Sequence, residues 1–246
     1  MKITFEESNI FKETINILAS LINEGKFVFD GEKLRLTAID AANVCLVHLE
    51  FSKDSFLEVE GKGEFIVKMD ELKDTLKKAK KSDIISLELD EEKNKLKIVL
   101  KGSMKRIYYI PLISEELEEV PEPNLEDFKA TIEIDSKSFK EAIESIETVS
   151  DNTVFEANKE KLVLKGGEEL EEAIVEFDNM SEAILKFEVN ENSKAMYGND
   201  YLKKIIKAYK ISSTVLIQFS TDYPLKLEYN NLDKNKITFV VAPKLE

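Results

Sequence analysis

Two short segments recur in this 246-residue chain at one fixed separation. Phe11-Lys12-Glu13-Thr14-Ile15 and Glu32-Lys33-Leu34-Arg35-Leu36 return as Phe139-Lys140-Glu141-Ala142-Ile143 and Glu160-Lys161-Leu162-Val163-Leu164, both displaced by 128 positions. Leu72-Lys73 and Ser82 return as Leu202-Lys203 and Ser212 at 130. Similarity at a constant period marks a tandem duplication, so any fold proposed for the first half must also suit the second. Between the copies, residues 111–128 hold three of the five prolines and the acids Glu115, Glu116, Glu118, Glu119 and Glu122, which predicts an extended, exposed connector. The chain thus divides into an N-terminal domain (1–113), a connector (114–127) and a C-terminal domain (128–246).

Each half shows the same alternation of apolar patterns. Ser8 or Asn9 is placed to cap a helix burying Phe11, Ile15, Leu18 and Ile22, and Asp70 to cap another burying Leu72, Leu76 and Ala79. Period-two segments at 1–5, 27–29, 34–38, 44–51, 64–68, 84–89, 95–101 and 106–110 read as strands. In the second half a helix starts at Asp135 or Ser136, with Phe139, Ala142, Ile143, Ile146 and Val149 inward, and another spans 199–210. Strands follow at 154–157, 162–165, 173–177, 184–189, 214–219, 225–229 and 237–241. The expected class is α+β: two similar domains, each of curved antiparallel sheet with two helices on one face.

Hydrophobic residues make up 43% of the chain, enough for two cores. No run of about 18 apolar residues occurs, and the start MKITFEESN lacks a secretory pattern, so a soluble intracellular protein without a membrane partner is expected. The single cysteine, Cys45, excludes an internal disulfide and reads as a small core residue. Lysine and glutamate are abundant and only Arg35 and Arg106 are arginines, a balance common in proteins from hot environments.

A net charge of −14 argues at first against a nucleic-acid partner. Its distribution argues the other way. The windows 8–22, 70–81, 136–149 and 199–210 hold 12 lysines against 8 acids, so the rest of the chain carries −18. On a helical wheel Lys203, Lys207 and Lys210 lie opposite Tyr201, Leu202, Ile205, Ile206 and Tyr209. Lys73, Lys77 and Lys80 repeat that spacing, and Lys204 and Lys81 add to it. Lysines on the open face of an amphipathic helix are most simply solvated. Their duplication within an acidic chain points instead to a surface that attracts a polyanion. Point-charge lysines, without arginine's bidentate fork, would touch phosphates without reading bases.

Enzyme signatures are absent: there is no GxGxxG, Walker loop, HExxH or GxSxG. Gly166-Gly167 reads as a turn between strands, and the lone His48 as a structural strand residue without a second histidine or reactive cysteine to share a site. A non-enzymatic protein with no cofactor and no metal is expected.

Several segments together resemble the sliding clamps of the proliferating cell nuclear antigen family, archaeal members above all. Leu34-Arg35-Leu36-Thr37-Ala38-Ile39-Asp40 leading to Val44-Cys45-Leu46-Val47-His48-Leu49 is similar to the family's LRAMD…VALVxL segment. Ile110-Pro111-Leu112-Ile113, Val149-Ser150-Asp151, Tyr223-Pro224-Leu225-Lys226-Leu227 and Ala242-Pro243-Lys244 match in order. The resemblance implies a DNA polymerase processivity factor: a pseudo-sixfold ring of three subunits, whether of this chain or with paralogues, whose helices surround duplex DNA. It implies that Lys12, Lys73, Lys77, Lys80, Lys81, Lys140, Lys203, Lys204, Lys207 and Lys210 face the phosphates, although Glu141 and Glu144 stand where relatives often carry basic residues. It implies a partner-peptide pocket from Ile39, Asn43, Leu46, Leu117, Val120, Pro121, Pro224, Val241, Ala242, Pro243 and Lys244. Subunits would join along Arg106, Ile107, Tyr108, Tyr109 and Ile110 of one copy and Ala173, Ile174, Val175, Glu176 and Phe177 of the next. DNA polymerase, flap endonuclease, DNA ligase and a clamp loader are the implied partners, and the nucleoid in the cytoplasm of a prokaryotic or archaeal cell is the implied location. Two other readings stay open: a subunit of a mixed ring serving mainly as a docking surface, and an oligomeric enzyme using carboxylates.

Overall fold

The computed structural model describes residues 1–121, 124–168 and 171–245; the connector's Glu122 and the terminal Glu246 lie outside them. The first half runs β1 (Lys2–Phe5), α1 (Ser8–Leu18), β2 (Glu24–Phe29), β3 (Leu34–Ile39), β4 (Cys45–Phe51), β5 (Phe56–Glu60), β6 (Gly63–Lys68), α2 (Met69–Leu76), β7 (Ile84–Asp90), β8 (Lys95–Lys101) and β9 (Lys105–Pro111). The second repeats it: β10 (Ala130–Asp135), α3 (Ser136–Glu147), β11 (Asn152–Ala157), β12 (Lys161–Glu168), β13 (Glu171–Asp178), β14 (Ile184–Val189), β15 (Ser193–Gly198), α4 (Asn199–Ile205), β16 (Thr214–Phe219), β17 (Leu225–Asn231) and β18 (Asn235–Val241). A 3₁₀ segment, Ile206–Lys210, continues α4.

The duplication extends to topology. In the first half the strands order as β5-β1-β7-β8-β9 and β6-β2-β3-β4; in the second, as β14-β10-β16-β17-β18 and β15-β11-β12-β13. Replacing each strand by its counterpart turns one pair of orders into the other. Even a register shift is copied, between Thr4 and Phe5 against β5 and between Glu133 and Ile134 against β14. Such a bulge survives in both copies because it re-aims one side chain, and Phe5 and Ile134 are both fully buried just past it.

Apolar periodicity places the cores where the wheels put them. Phe11 and Phe139, counterparts at 128, are both 0% exposed. Phe11 stacks on Phe5 with centroids 3.9 Å apart, while Phe155 meets Tyr197 and Phe219 edge-on at 5.2 and 5.8 Å. Each ring removed from water in this way contributes about 1.5–3 kcal/mol. Cys45 is buried as expected, and His48 sits inside β4 with Nδ1 2.8 Å from the Thr37 hydroxyl.

Helix starts depart from expectation in two places. Ser8 does not cap α1: its hydroxyl accepts the Ile85 N–H of β7 at 2.8 Å, and Glu7 occupies the cap position without a side-chain bond. Its counterpart Ser136 donates to the Ser212 carbonyl at 2.7 Å, so this position stitches a helix to the strand entry beside it in both halves. Asp70 likewise lies inside the first turn of α2, whose cap position is Lys68, and pairs with Lys73. Asp135 does cap α3, accepting Ser138 N–H at 2.7 Å and Ser138 Oγ–H at 2.8 Å. Asp135→Ala is expected to cost about 1 kcal/mol, read as a lower denaturant midpoint with unchanged slope. Gly166 and Gly167, expected in a turn, belong to β12. Gly167 has φ +114°, and a Cβ there would lie 2.1 Å from the Glu171 carbonyl, so the hairpin's approach leaves no room for a side chain.

Two compact units emerge. The first comprises Met1–Ala41, Val47–Glu122 and Asn231–Ile237; the second comprises Ala42–Leu46, Pro123–Asn230 and Thr238–Glu246. Within the first, the Lys234 carbonyl accepts from Ser52 N–H at 2.7 Å and from Ser55 Oγ–H at 2.6 Å, and Lys234 Nζ pairs with Glu6 at 2.7 Å.

Candidate nucleic-acid interface and partner cavity

In the first unit α1 and α2 lie side by side, tied by Lys12 Nζ donating to the Ala79 carbonyl at 2.9 Å. Lys12 is therefore half-buried and spends one donor on the end of α2. The helix predicted to reach residue 81 stops at Leu76; Lys77 to Lys81 form turns beyond it, with Lys80 N–H bound to Asp83 Oδ2 at 2.7 Å. That correction strengthens the charge argument. Lys77, Lys78, Lys80 and Lys81 are all exposed within five residues, and Lys78, absent from the predicted set, lies with Nζ 4.4 Å from the Tyr108 ring centre.

In the second unit the 3₁₀ segment after α4 advances about 120° per residue, so Lys207 and Lys210, three apart, stand on one side, and both are exposed. Lys204 lies over the Tyr201 ring at 5.5 Å, and Lys203 pairs with Asp200 at 3.3 Å and Glu147 at 3.5 Å. Tyr201 and Tyr209, expected inward, are only half-buried, because each offers a ring face to a lysine. On α3, Lys140 Nζ meets Glu144 at 2.5 Å, and Glu141 and Glu144 are exposed. The hydrogen bond to Glu144 holds the Lys140 ammonium above its ordinary range against the opposing effect of burial, and those to Asp200 and Glu147 raise Lys203. Asp74 is held low by its hydrogen bond to Lys77. Lys73, Lys77, Lys140 and Lys203 are thus each paired with an acid one turn away. Lys80 and Lys81, in the turns after α2, and Lys207, in the 3₁₀ segment after α4, are exposed.

A cavity of about 880 Å³ opens in the first unit between the connector and β2, β3 and β6. It brings together Ile39, Leu117, Val120 and Pro121 from the predicted pocket. It adds Ile22, Val28 and Thr37, and a charged rim in which Lys26 pairs with Glu64 at 3.2 Å and Arg35 with Asp30 at 2.9 Å. The other predicted pocket residues belong to the second unit. There Asn43 is exposed with φ 56°, Leu46 and Pro224 are half-buried, Ala242 N–H donates to the Val44 carbonyl at 2.9 Å, and Lys244 N–H to the Met196 carbonyl at 2.7 Å. Val241 is 0% exposed and faces the core of β18, so its side chain offers nothing at the surface and is removed from the pocket.

The predicted subunit edges are open edges. β9 ends one sheet order and β13 another. Along β9, Ile107 and Tyr109 are 44% and 46% exposed while Ile110 turns inward; along β13, Ile174 is 53% exposed, Ala173 and Val175 half-buried, and Phe177 buried. Arg106 lies inward, its guanidinium on buried Asp83 and on the Lys78 carbonyl, and Tyr108 sits beneath Lys78. Unpaired N–H and C=O groups beside exposed apolar side chains call for another strand.

Residues 1–117 match the model of the proliferating cell nuclear antigen N-terminal domain, and residues 121–244 that of its C-terminal domain. The DNA polymerase sliding clamp of Nanoarchaeum equitans is 38% identical over 99% of both chains. Among solved structures, PCNA from Thermococcus kodakaraensis superposes with a TM-score of 0.91 at 27% identity over 99% of both chains. The PCNA2–PCNA3 complex from Sulfolobus tokodaii superposes equally well at 28% identity, each chain fully covered. Together with a duplicated fold whose helices carry exposed lysines, these matches establish that the chain belongs to the proliferating cell nuclear antigen family, in its archaeal, sliding-clamp form.

Proposed function

We propose that this chain is a DNA polymerase processivity factor that closes into a three-subunit ring around duplex DNA and tethers replication and repair enzymes to it. The observation that carries the reading is the pair Lys77 and Lys207, equivalent positions of the two copies, both exposed beside the C-terminal ends of their helices in a chain that is otherwise acidic. Phosphates meet positive charge at those surfaces and negative charge over most of the remainder, and flexible hydrated ammonium groups permit contact without fixing position. Topology then retains the ring on DNA. Sizing of the purified chain tests the assembly: three copies of the 28.1 kDa chain give about 84 kDa.

Partner enzymes, a polymerase first and a flap endonuclease, ligase and loader by family, would insert a short segment with apolar anchors beneath the connector. Leu117 and Val120 are half-buried on the cavity wall, so they can meet such anchors while their removal spares the core. Leu117→Ser with Val120→Ser is expected to weaken a Gln- and aromatic-containing partner peptide at least tenfold in calorimetry, with the unfolding midpoint unchanged. Retained affinity would move the site elsewhere.

A second reading makes the chain one member of a mixed ring. The exposed Glu141 and Glu144 on α3 favour it, since they lower the DNA-facing charge of the second unit.

A further inference from the structure

The turn that carries Lys77, Lys78, Lys80 and Lys81 is bound along its backbone while those side chains stay exposed. Lys77, Lys78 and Ala79 N–H donate to the Lys73, Thr75 and Leu76 carbonyls at 2.9, 3.2 and 2.9 Å, and Asp83 N–H donates to the Lys80 carbonyl at 3.0 Å. Three side chains complete the set. Asp83 Oδ2 accepts Lys80 N–H at 2.7 Å, Arg106 donates to the Lys78 carbonyl at 2.8 Å, and Lys12 donates to the Ala79 carbonyl at 2.9 Å. Every N–H from Lys77 to Lys80 and every carbonyl from Lys78 to Lys80 thus has a partner, in a segment outside the named helices and strands. The second unit is built otherwise at the same position. The carbonyl of Ala208, counterpart of Lys78, is bound by backbone alone, from Ile211 N–H at 2.9 Å and Ser212 N–H at 3.2 Å. Ser213 and Lys236 stand where the first unit has Asp83 and Arg106, and Lys140, counterpart of Lys12, is bound to Glu144.

Four ammonium groups within five residues repel one another, which favours any conformation that moves them apart. Bonds from α1 and β9 to successive carbonyls oppose that spreading and fix where the lysine stems leave the chain. Lys12 is half-buried, with its ammonium aimed at a carbonyl 67 residues on, whereas Lys80 and Lys81 are exposed. We propose that Lys12 is a positioning residue: its bond to Ala79, together with those of Arg106 and Asp83, holds the turn so that Lys80 and Lys81 meet DNA phosphates, and its own ammonium is not a phosphate contact. The inference rests on the DNA-facing reading above and gives one of the residues implied by the resemblance a different task. A backbone fixed in advance need not be ordered when DNA arrives, so contact costs less, and the free side chains still permit sliding.

Two measurements on the full chain test this. Lys12→Met keeps the aliphatic stem and removes the donor. It is expected to speed amide hydrogen exchange at Lys80 and Asp83 about fivefold, the equivalent of one lost hydrogen bond, and to leave the amides from Lys207 to Ser212 unchanged. Binding to a short duplex of mixed sequence is then compared across a salt series. Lys12→Met should weaken it about fivefold at physiological salt, and Lys80→Gln with Lys81→Gln should weaken it further. The three changes together should match the Lys80→Gln, Lys81→Gln pair in both affinity and salt slope, because a positioning residue then has nothing left to position. Lys12→Arg, which retains a donor, should restore both exchange protection and binding. Unchanged exchange in Lys12→Met, or a triple variant that loses affinity and slope beyond the pair, would overturn the proposal while leaving Lys80 and Lys81 as DNA contacts. A pair that binds the duplex as tightly as the unmodified chain would remove the DNA-facing reading of this turn, and the proposal with it.

Discussion

Replacing Lys77 and Lys207 together by glutamate is expected to lower stimulation of a DNA polymerase about tenfold at physiological salt, and to flatten its salt dependence, while the assembled mass stays the same. Both side chains are exposed, so neither change touches a core or an open strand edge. Each substitution reverses a charge, shifting the chain by four units of charge toward the sign of DNA. A phosphate contact contributes roughly one unit to the slope of log affinity against log salt, so losing one contact per unit in each subunit is a large share of a loose, sequence-independent interaction. Lys77 is partly neutralised by Asp74 at 3.1 Å, so Lys207→Glu alone should account for more than half of the loss. Stimulation unchanged in the double variant would show that these faces do not meet the phosphates.

Asp83→Ala is expected to give the largest loss of stability, about 3–5 kcal/mol, because it strands one member of a buried ion pair. The Asp83 side chain is 2% exposed and binds both the Arg106 guanidinium and the Lys80 N–H. Without it Arg106 keeps only the Lys78 carbonyl, and its Nε is already buried without a partner among the described residues. Because Arg106 stands in β9, the damage reaches the strand edge as well as the turn of exposed lysines. Chemical denaturation should therefore show a lower midpoint, and sizing a weaker assembly. Asp83→Asn, which keeps an acceptor for Lys80, should recover part of the stability. Full stability in Asp83→Ala would mean that Arg106 finds water or another acceptor.

Duplication makes much of the fold readable in the sequence. Strand and helix types followed from the period of the apolar residues, and the paired helices Phe11–Ile15 and Phe139–Ile143 fixed the equivalence. Three strands escaped. Phe56–Glu60 lies at a sheet edge with only half-buried and exposed residues, so no alternation marks it, and Ser193–Gly198 is rich in small residues with little β preference. Ala130–Asp135 alternates cleanly and was recoverable as the image of the first strand. Lysine positions on the helices were legible because helical periodicity separates the core face from the open one; where α2 ends was not, since the Lys77–Lys81 run has helix-forming residues, yet the helix ends at Leu76 and Lys80 N–H donates to the Asp83 carboxylate instead of to a helical carbonyl. The cavity was half legible. Ile39, Leu117 and Val120 came from family resemblance, while the polar wall of Lys26, Arg35 and Glu64 depends on a long-range approach of the connector that no local pattern encodes.

The unit boundaries carry a consequence for how this duplicated gene can be cut. Asn231–Ile237, from the far end of the chain, completes the first unit, and Ala42–Leu46, from near the start, completes the second. A fragment ending in the connector would forfeit Lys234 and leave Ser52, Ser55 and Glu6 without their bonding partner. Neither half of the duplicated sequence therefore contains every segment of its own compact unit, and a cut in the connector separates each unit from a strand segment that belongs to it.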